Sequence, residues 1–255
     1  MVHDAEQTPQ PPQGRVLLPA LRLLAPGPDG ARARGESVRL AAARVRATPG
    51  THIWLLILAV TSVTAAGMSP HLRSYLLHSV STNLVELHRH PIRVLVASAL
   101  WIEPPSGFLF YAVLFELVHA TAERWLGTAR WLLVAAVAHI GATLVSQKAV
   151  FFGIRDDRLP GSLAHTVDIG VSYGLAGVVG VLAYRVPRPW RWGYLAVVLP
   201  FFAVPVLDDG SFTDLGHLSA VLIGLCCYGV TPPTPAAART AGAAPPRSRP
   251  RRWTR

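Results

Sequence analysis

Six blocks of apolar residues fill the middle of this chain, and no water-soluble fold needs so many. They cover about residues 52–68, 107–126, 129–144, 166–184, 192–207 and 215–230. Each is sixteen to twenty residues long, close to what a helix needs to cross a hydrocarbon core. In lipid, every backbone N–H and C=O must find a partner inside its own segment, so blocks of this kind are helices. The expected fold class is an all-α membrane protein with six transmembrane helices. The shortest blocks would span roughly 24 Å of a roughly 30 Å core. That implies longer helices than the apolar runs show, or a locally thinned bilayer. The chain is 51% apolar and only 15% charged, which excludes an ordinary soluble domain.

The formal net charge is +10, and its distribution sets the expected orientation. Arginine carries nearly all the positive charge, with Lys148 the only lysine. Both tails, 1–50 and 231–255, are basic and Pro-rich and read as mostly disordered. Arg124 and Arg130 flank the turn after the second block, and Arg185, Arg188 and Arg191 follow the fourth. Asp156, Asp157, Asp208 and Asp209 lie in the opposite loops, diluted there by Arg73, Arg89, Arg93, Lys148, Arg155 and Arg158. Six spans with both termini cytoplasmic satisfy the positive-inside rule. Basic tails beside spans imply contact with anionic lipid headgroups, and no aromatic-interleaved basic fold points to nucleic acid. The first fourteen residues lack an apolar signal region, so the first span is expected to act as an uncleaved anchor in the plasma (inner) membrane.

Three further segments qualify this organisation. Residues 14–26 put Leu17, Leu18, Leu21 and Leu24 near one face, and 36–47 alternate Arg39, Arg44 and Arg46 with small apolar residues, so either stretch could lie flat on a membrane, or remain flexible tail. Residues 69–106 form an external loop, in which Leu76, Leu77, Val80, Leu84 and Leu87 recur at helical spacing. That spacing predicts one interfacial helix, continued by residues 91–101. Cys226 and Cys227 are adjacent and inside a span, which excludes an internal disulfide framework or a cysteine zinc site. The Arg, Ala and Pro bias fits a GC-rich, actinobacterial-type genome.

Two polar residues stand out within the apolar blocks. Ser172 lies about six residues into the fourth block and His217 about two into the sixth. Both blocks run in the same direction under the expected topology, so the two depths differ by about 6 Å. Gly170, Gly174, Gly177 and Gly180 surround the serine, and Gly216, Ala220 and Gly224 share a stripe with the histidine. Small residues let helix backbones approach closely, which a Ser–His hydrogen bond between helices requires. A neutral imidazole could then take the serine proton while the alkoxide attacks a carbonyl. Serine also bonds its own helix backbone, and histidine packs between helices as a structural donor.

Other polar residues give alternatives. His165, Asp168 and Ser172 share one face, and Asp214, one turn before His217, is a possible support; Asp168 could orient the imidazole or replace a lost polar partner. Asp168 also suits a helix N-terminus, where the dipole favours an acid. His139, His165 and His217 with Asp168 would be the donors of a metal-dependent membrane hydrolase, although no His-Glu-x-x-His spacing supports one. No metal or other cofactor is called for by the serine–histidine reading. Glu116 and His119, one turn apart, suit a structural pair, and Glu123 and Arg124 suit an anchored turn.

Four pieces of the chain resemble the rhomboid family of intramembrane serine proteases, and more closely its divergent bacterial rhomboid-like branch. ERWLGTARWL at 123–132 is similar to the Glu-x-Arg turn between spans two and three. GVS at 170–172 resembles the start of the nucleophile motif, Gly-x-Ser-Gly. His217 with Gly224 resembles the span-six motif His-x-x-Gly-x-x-x-Gly, with Ala220 in place of the first glycine. IRVLVASALW at 92–101 resembles the Trp-Arg segment of the first external loop, keeping Arg93 and replacing the tryptophan with Ile92. The resemblance covers about residues 52–230. It implies a rhomboid-like six-helix bundle over 51–230. It also implies a Ser172–His217 dyad that hydrolyses peptide bonds of single-span, membrane-anchored substrates. Two departures leave the enzyme question open. The span-two His-x-x-x-Asn motif is absent, its places falling near Gly107 and Tyr111, and Tyr173 follows the serine where a small residue is usual. The alternative is a catalytically inactive rhomboid-like protein that binds membrane clients.

Overall fold

The structure, a computed structural model, describes residues 28–208 and 210–233. The segment 14–26 and the tail beyond 233 lie outside the described residues. The chain divides into two units, Met1–Ala47 and Thr48–Arg255. Within the described part of the first unit is one helix, α1 (Pro28–Ala47), with Arg44 and Arg46 in its last turn. The stretch 36–47 is thus helical.

The second unit is built from helices, with no strand among the described residues. It begins with α2 (Pro49–Ala66), whose proline sits in the first turn where a missing N–H costs nothing. Three short helices follow, α3 (Pro70–Val80), α4 (Leu84–Arg89) and α5 (Pro91–Ala97). The single interfacial helix expected from the leucine spacing is therefore broken. Asn83 breaks it by capping α4, its side-chain oxygen accepting from the Glu86 N–H at 3.0 Å. Pro91 then starts α5, and Arg93 donates to Glu86 at 2.6 Å across the break.

Five further helices complete the bundle. Helix α6 (Pro105–Leu126) contains a single π turn at Phe115–His119, and α7 (Thr128–Arg155) follows it. Helix α8 (Val171–Leu182) is short, α9 (Trp190–Leu207) contains Pro200 and Pro205, and α10 (Phe212–Cys226) closes the order. Five helical segments are long and apolar enough to cross a membrane: α2, α6, α7, α9, and α10 with its continuation to Val230. The fourth block differs from expectation: only twelve of its residues are helical. Its first part, 166–170, is irregular and tied to the interfacial loop. Thr82 N–H donates to the Asp168 carbonyl at 3.0 Å, and Gly170 N–H to the Ser98 carbonyl at 3.1 Å. Helix α7 exceeds expectation, running to Arg155 rather than ending near 144.

Burial explains why α8 can be short. It packs between α7 and α10, with Val171, Tyr173, Ala176, Val178 and Val181 all buried. The peripheral helices instead turn apolar side chains outward, as Val63 (74% exposed) on α2 and Phe201 (71%) on α9 illustrate. A lipid-facing surface has this composition. Glu123, near the end of α6, fastens three helix ends together. Its carboxylate accepts from Gly50 N–H (2.9 Å), Thr51 N–H (2.7 Å), the Thr51 hydroxyl (2.6 Å) and the Thr128 hydroxyl (2.7 Å). Gly127 makes the adjoining turn at φ +81°, a conformation that favours glycine. The expected Glu116–His119 pair does not form. Glu116 instead meets His52 of α2 at 3.0 Å, and His119 accepts from Trp131 Nε1 of α7 at 2.9 Å.

Candidate active site

Helices α8 and α10 meet backbone to backbone. A Cβ added to Gly224 would collide with the Gly177 carbonyl oxygen, and one at Gly180 with the Val221 carbonyl oxygen. Ala220 is fully buried in the same seam. Gly174 is turned away from it, facing Trp54 of α2 and the Ala135 carbonyl of α7. The seam therefore uses Gly177 and Gly180 against Ala220 and Gly224. Gly174 serves the opposite face of α8.

This closeness brings the serine and histidine together: His217 Nε2 lies 2.9 Å from Ser172 Oγ. Ser172 is the second residue of α8, in the turn whose N–H groups have no intrahelical acceptor. Both side chains are half-buried and open into a cavity of about 860 Å³. Its walls are mostly apolar and come from α6, α8, α9 and α10; Tyr111, Ser172, Phe201 and His217 mark the four sides. Helix α9 has no buried residue. It is pinned near its start, where Arg191 donates to the Ala183 and Tyr184 carbonyls at 2.9 and 3.0 Å and Tyr194 donates to the Val179 carbonyl at 2.8 Å.

Before Ser172 in sequence, the chain leading into α8 is held by a buried polar network. His139 of α7 reaches the Gly170 carbonyl at 3.0 Å through Nδ1 and the Leu95 carbonyl at 2.8 Å through Nε2. A side chain at Gly170 would strike that imidazole ring. Asp168 is buried and accepts from Gln147 Nε2 (3.1 Å), Thr82 Oγ1 (3.3 Å) and the Tyr173 hydroxyl (3.1 Å), while its own N–H donates to Ser81 Oγ at 2.7 Å. Tyr173 then sets its ring edge-on to His217, with centroids 5.1 Å apart. Gly216 leaves room for that ring, since a Cβ there would clash with it.

The supporting roles expected for three residues change accordingly. Asp168 is not hydrogen-bonded to His217; Tyr173 lies between them, its hydroxyl donating to Asp168 and its ring meeting the imidazole. Asp214 is committed to a capping box, accepting from Ser211 N–H (2.9 Å) and the Ser211 hydroxyl (2.7 Å). His165 lies exposed in the 3-10 turn Gly161–His165, outside the cavity lining. Among the described residues no group of His, Cys, Asp or Glu is arranged to hold a metal ion, so His139, His165, His217 and Asp168 do not assemble as donors. Sequence reading missed His139 and Gln147 as parts of the support. Their polar side chains in a long apolar helix were the available signal.

A family model described as rhomboid-like protein matches residues 43–237. No curated protein and no solved structure matches the chain.

Proposed function

On the premise that the chain belongs to the rhomboid-like protein family, we propose that it is an intramembrane serine protease acting through Ser172 and His217. The observation that carries this reading is the 2.9 Å contact between His217 Nε2 and Ser172 Oγ at a cavity wall. His217 takes the Ser172 proton as Oγ attacks a peptide carbonyl carbon. Ser172 N–H, in the first turn of α8, points donor character at the developing oxyanion. Collapse of the adduct breaks the C–N bond, and His217 returns the proton to the leaving amine. Water, deprotonated by His217, then hydrolyses the acyl-enzyme and restores the serine.

The cavity walls favour a membrane-anchored substrate. They are largely apolar, as an extended segment leaving a transmembrane helix requires. The α9 wall buries none of its residues and is pinned mainly near its start, so its Phe201–Leu207 end is the wall that yields most readily. We place all six segments across the plasma membrane with both termini cytoplasmic, the short α8 being enclosed by its neighbours.

The test is reconstitution in liposomes with a fluorophosphonate probe and a single-span reporter. Wild type should label and cleave, and Ser172→Ala and His217→Ala should do neither. A protein that neither labels nor cleaves, yet retains the reporter, would be a client-binding member of the family. Cleavage that persists in Ser172→Ala and stops with a chelator would make the chemistry metal-dependent.

A further inference from the structure

A second side chain meets the nucleophile from the other wall of the cavity. The Tyr111 side chain of α6 lines the same cavity as Ser172 and lies near enough to interact with it. Its ring packs with Phe108 on the apolar cluster of Leu58, Ile102, Phe115 and Val171, so the phenol is held by its body and polar at its tip. The tip opens into the same cavity as Ser172 and His217. Ser172 Oγ thus has a hydrogen-bonded imidazole on α10 and a phenol near it on α6, both at the cavity. Its one proton goes to His217 Nε2. Toward Tyr111 it presents a lone pair, so the phenol is the donor.

We propose that Tyr111 is a catalytic residue that donates its phenolic hydrogen bond to the tetrahedral oxyanion. This rests on the protease reading above and assigns an oxyanion donor to that same site. When Oγ bonds to the carbonyl carbon, it becomes an ether-type oxygen and a poorer acceptor. The negative charge appears on the former carbonyl oxygen, one bond beyond the same carbon. The phenol turns its hydrogen bond to that oxygen, and no proton is transferred. Ser172 N–H supplies a second donor from the first turn of α8. The gain is made in the transition state and not in substrate binding, so it belongs in kcat.

The experiment compares wild type with Tyr111→Phe, which keeps the packed ring and removes only the hydroxyl. Both are reconstituted with the reporter, and kcat and KM are separated. Loss of one such donor lowers kcat by about 10²–10³-fold and leaves KM unchanged. Inhibition by a peptide aldehyde, whose serine adduct carries the same oxygen, weakens in parallel. The matching peptide alcohol, which forms no adduct, binds both proteins equally. A purely structural tyrosine would move both inhibitors together. Equal kcat in the two proteins, or a change confined to KM, overturns the assignment while Ser172-dependent cleavage by wild type leaves the protease reading standing. A wild type without Ser172-dependent cleavage removes that reading, and the assignment with it. If Tyr111→Phe fails to fold, as judged by its unfolding curve in SDS, Tyr111→3-fluorotyrosine replaces it. That stronger donor retains or raises kcat, and a fall overturns the proposal.

Discussion

Tyr173 joins the buried acid of the site to its imidazole. Its hydroxyl donates to Asp168 at 3.1 Å, and its ring lies edge-on to His217. Tyr173→Phe keeps the ring contact and withdraws one donor from a buried carboxylate. The expected cost is about 1–3 kcal/mol, measured as a shift in the SDS unfolding midpoint, with reporter cleavage reduced far less than by Ser172→Ala. Glu123 is a comparable case without a place in the cavity. Glu123→Ala strands the Gly50 and Thr51 N–H groups and should destabilise the protein by about 3 kcal/mol in the same assay. At this scale the sequence singled out Ser172 and His217, which the structure brings to 2.9 Å, because a serine and a histidine inside apolar blocks are conspicuous. It did not expose what holds them. Asp168 and Asp214 look alike as acids one turn from the dyad residues, yet one is buried among three donors and the other caps its own helix. Only the path of the loop around Ser81 and Thr82 distinguishes them, and that path is a tertiary property.

The seam between α8 and α10 is the element on which the site depends. Gly224→Leu places a branched side chain where the Gly177 backbone already lies, so the helices must part. The expected result is a loss of about 1–3 kcal/mol in SDS unfolding and a loss of fluorophosphonate labelling, since the 2.9 Å contact spans that seam. Gly193→Ala on α9 is the matched control: a Cβ there meets nothing, and both readings stay at wild-type levels. The small-residue stripes announced close packing in the sequence, and the structure uses them, though Gly174 faces the opposite way from its neighbours in the pattern. The length of α8 was harder to read. Residues 166–170 are as apolar as the helix after them, apart from Asp168, and hydropathy does not separate helix from an irregular strand of chain held by loop hydrogen bonds. The interfacial segment failed for a related reason. Its leucines keep helical phase across Asn83 and Pro91, which nonetheless end one helix and begin the next.

Over the whole molecule the arginines predict a testable orientation. Single cysteines placed at Thr128 and at Asp157, in a background lacking Cys226 and Cys227, should label from opposite sides of the membrane, with Thr128 on the cytoplasmic side. Labelling of both from one side would require an odd number of crossings between α6 and the end of α7 to be abandoned. The loop at Asp157 also has a defined pH response. The Arg158 and Arg155 guanidiniums beside Asp156 hold its carboxyl below the usual carboxylate range. The loop contacts are therefore present above the ordinary carboxylate pKa and disappear only as pH falls through the lowered one. A spin label at Asp157 should keep the same mobility from about pH 7 to about pH 5 and become more mobile in Asp156→Asn at both. The all-helical class and the five segments long enough to cross a membrane were legible, because lipid imposes apolar helices segment by segment. The cavity was not, because it lies where four segments face one another. One carboxylate bears on how this arrangement is reached during synthesis. Glu123 lies more than seventy residues after the helix start that it holds, between Thr51 and Thr128. The first span leaves the ribosome long before its clasp does. Its amino end must wait in the membrane with open amides until the hairpin of α6 and α7 arrives, so the order of insertion is also the order of locking.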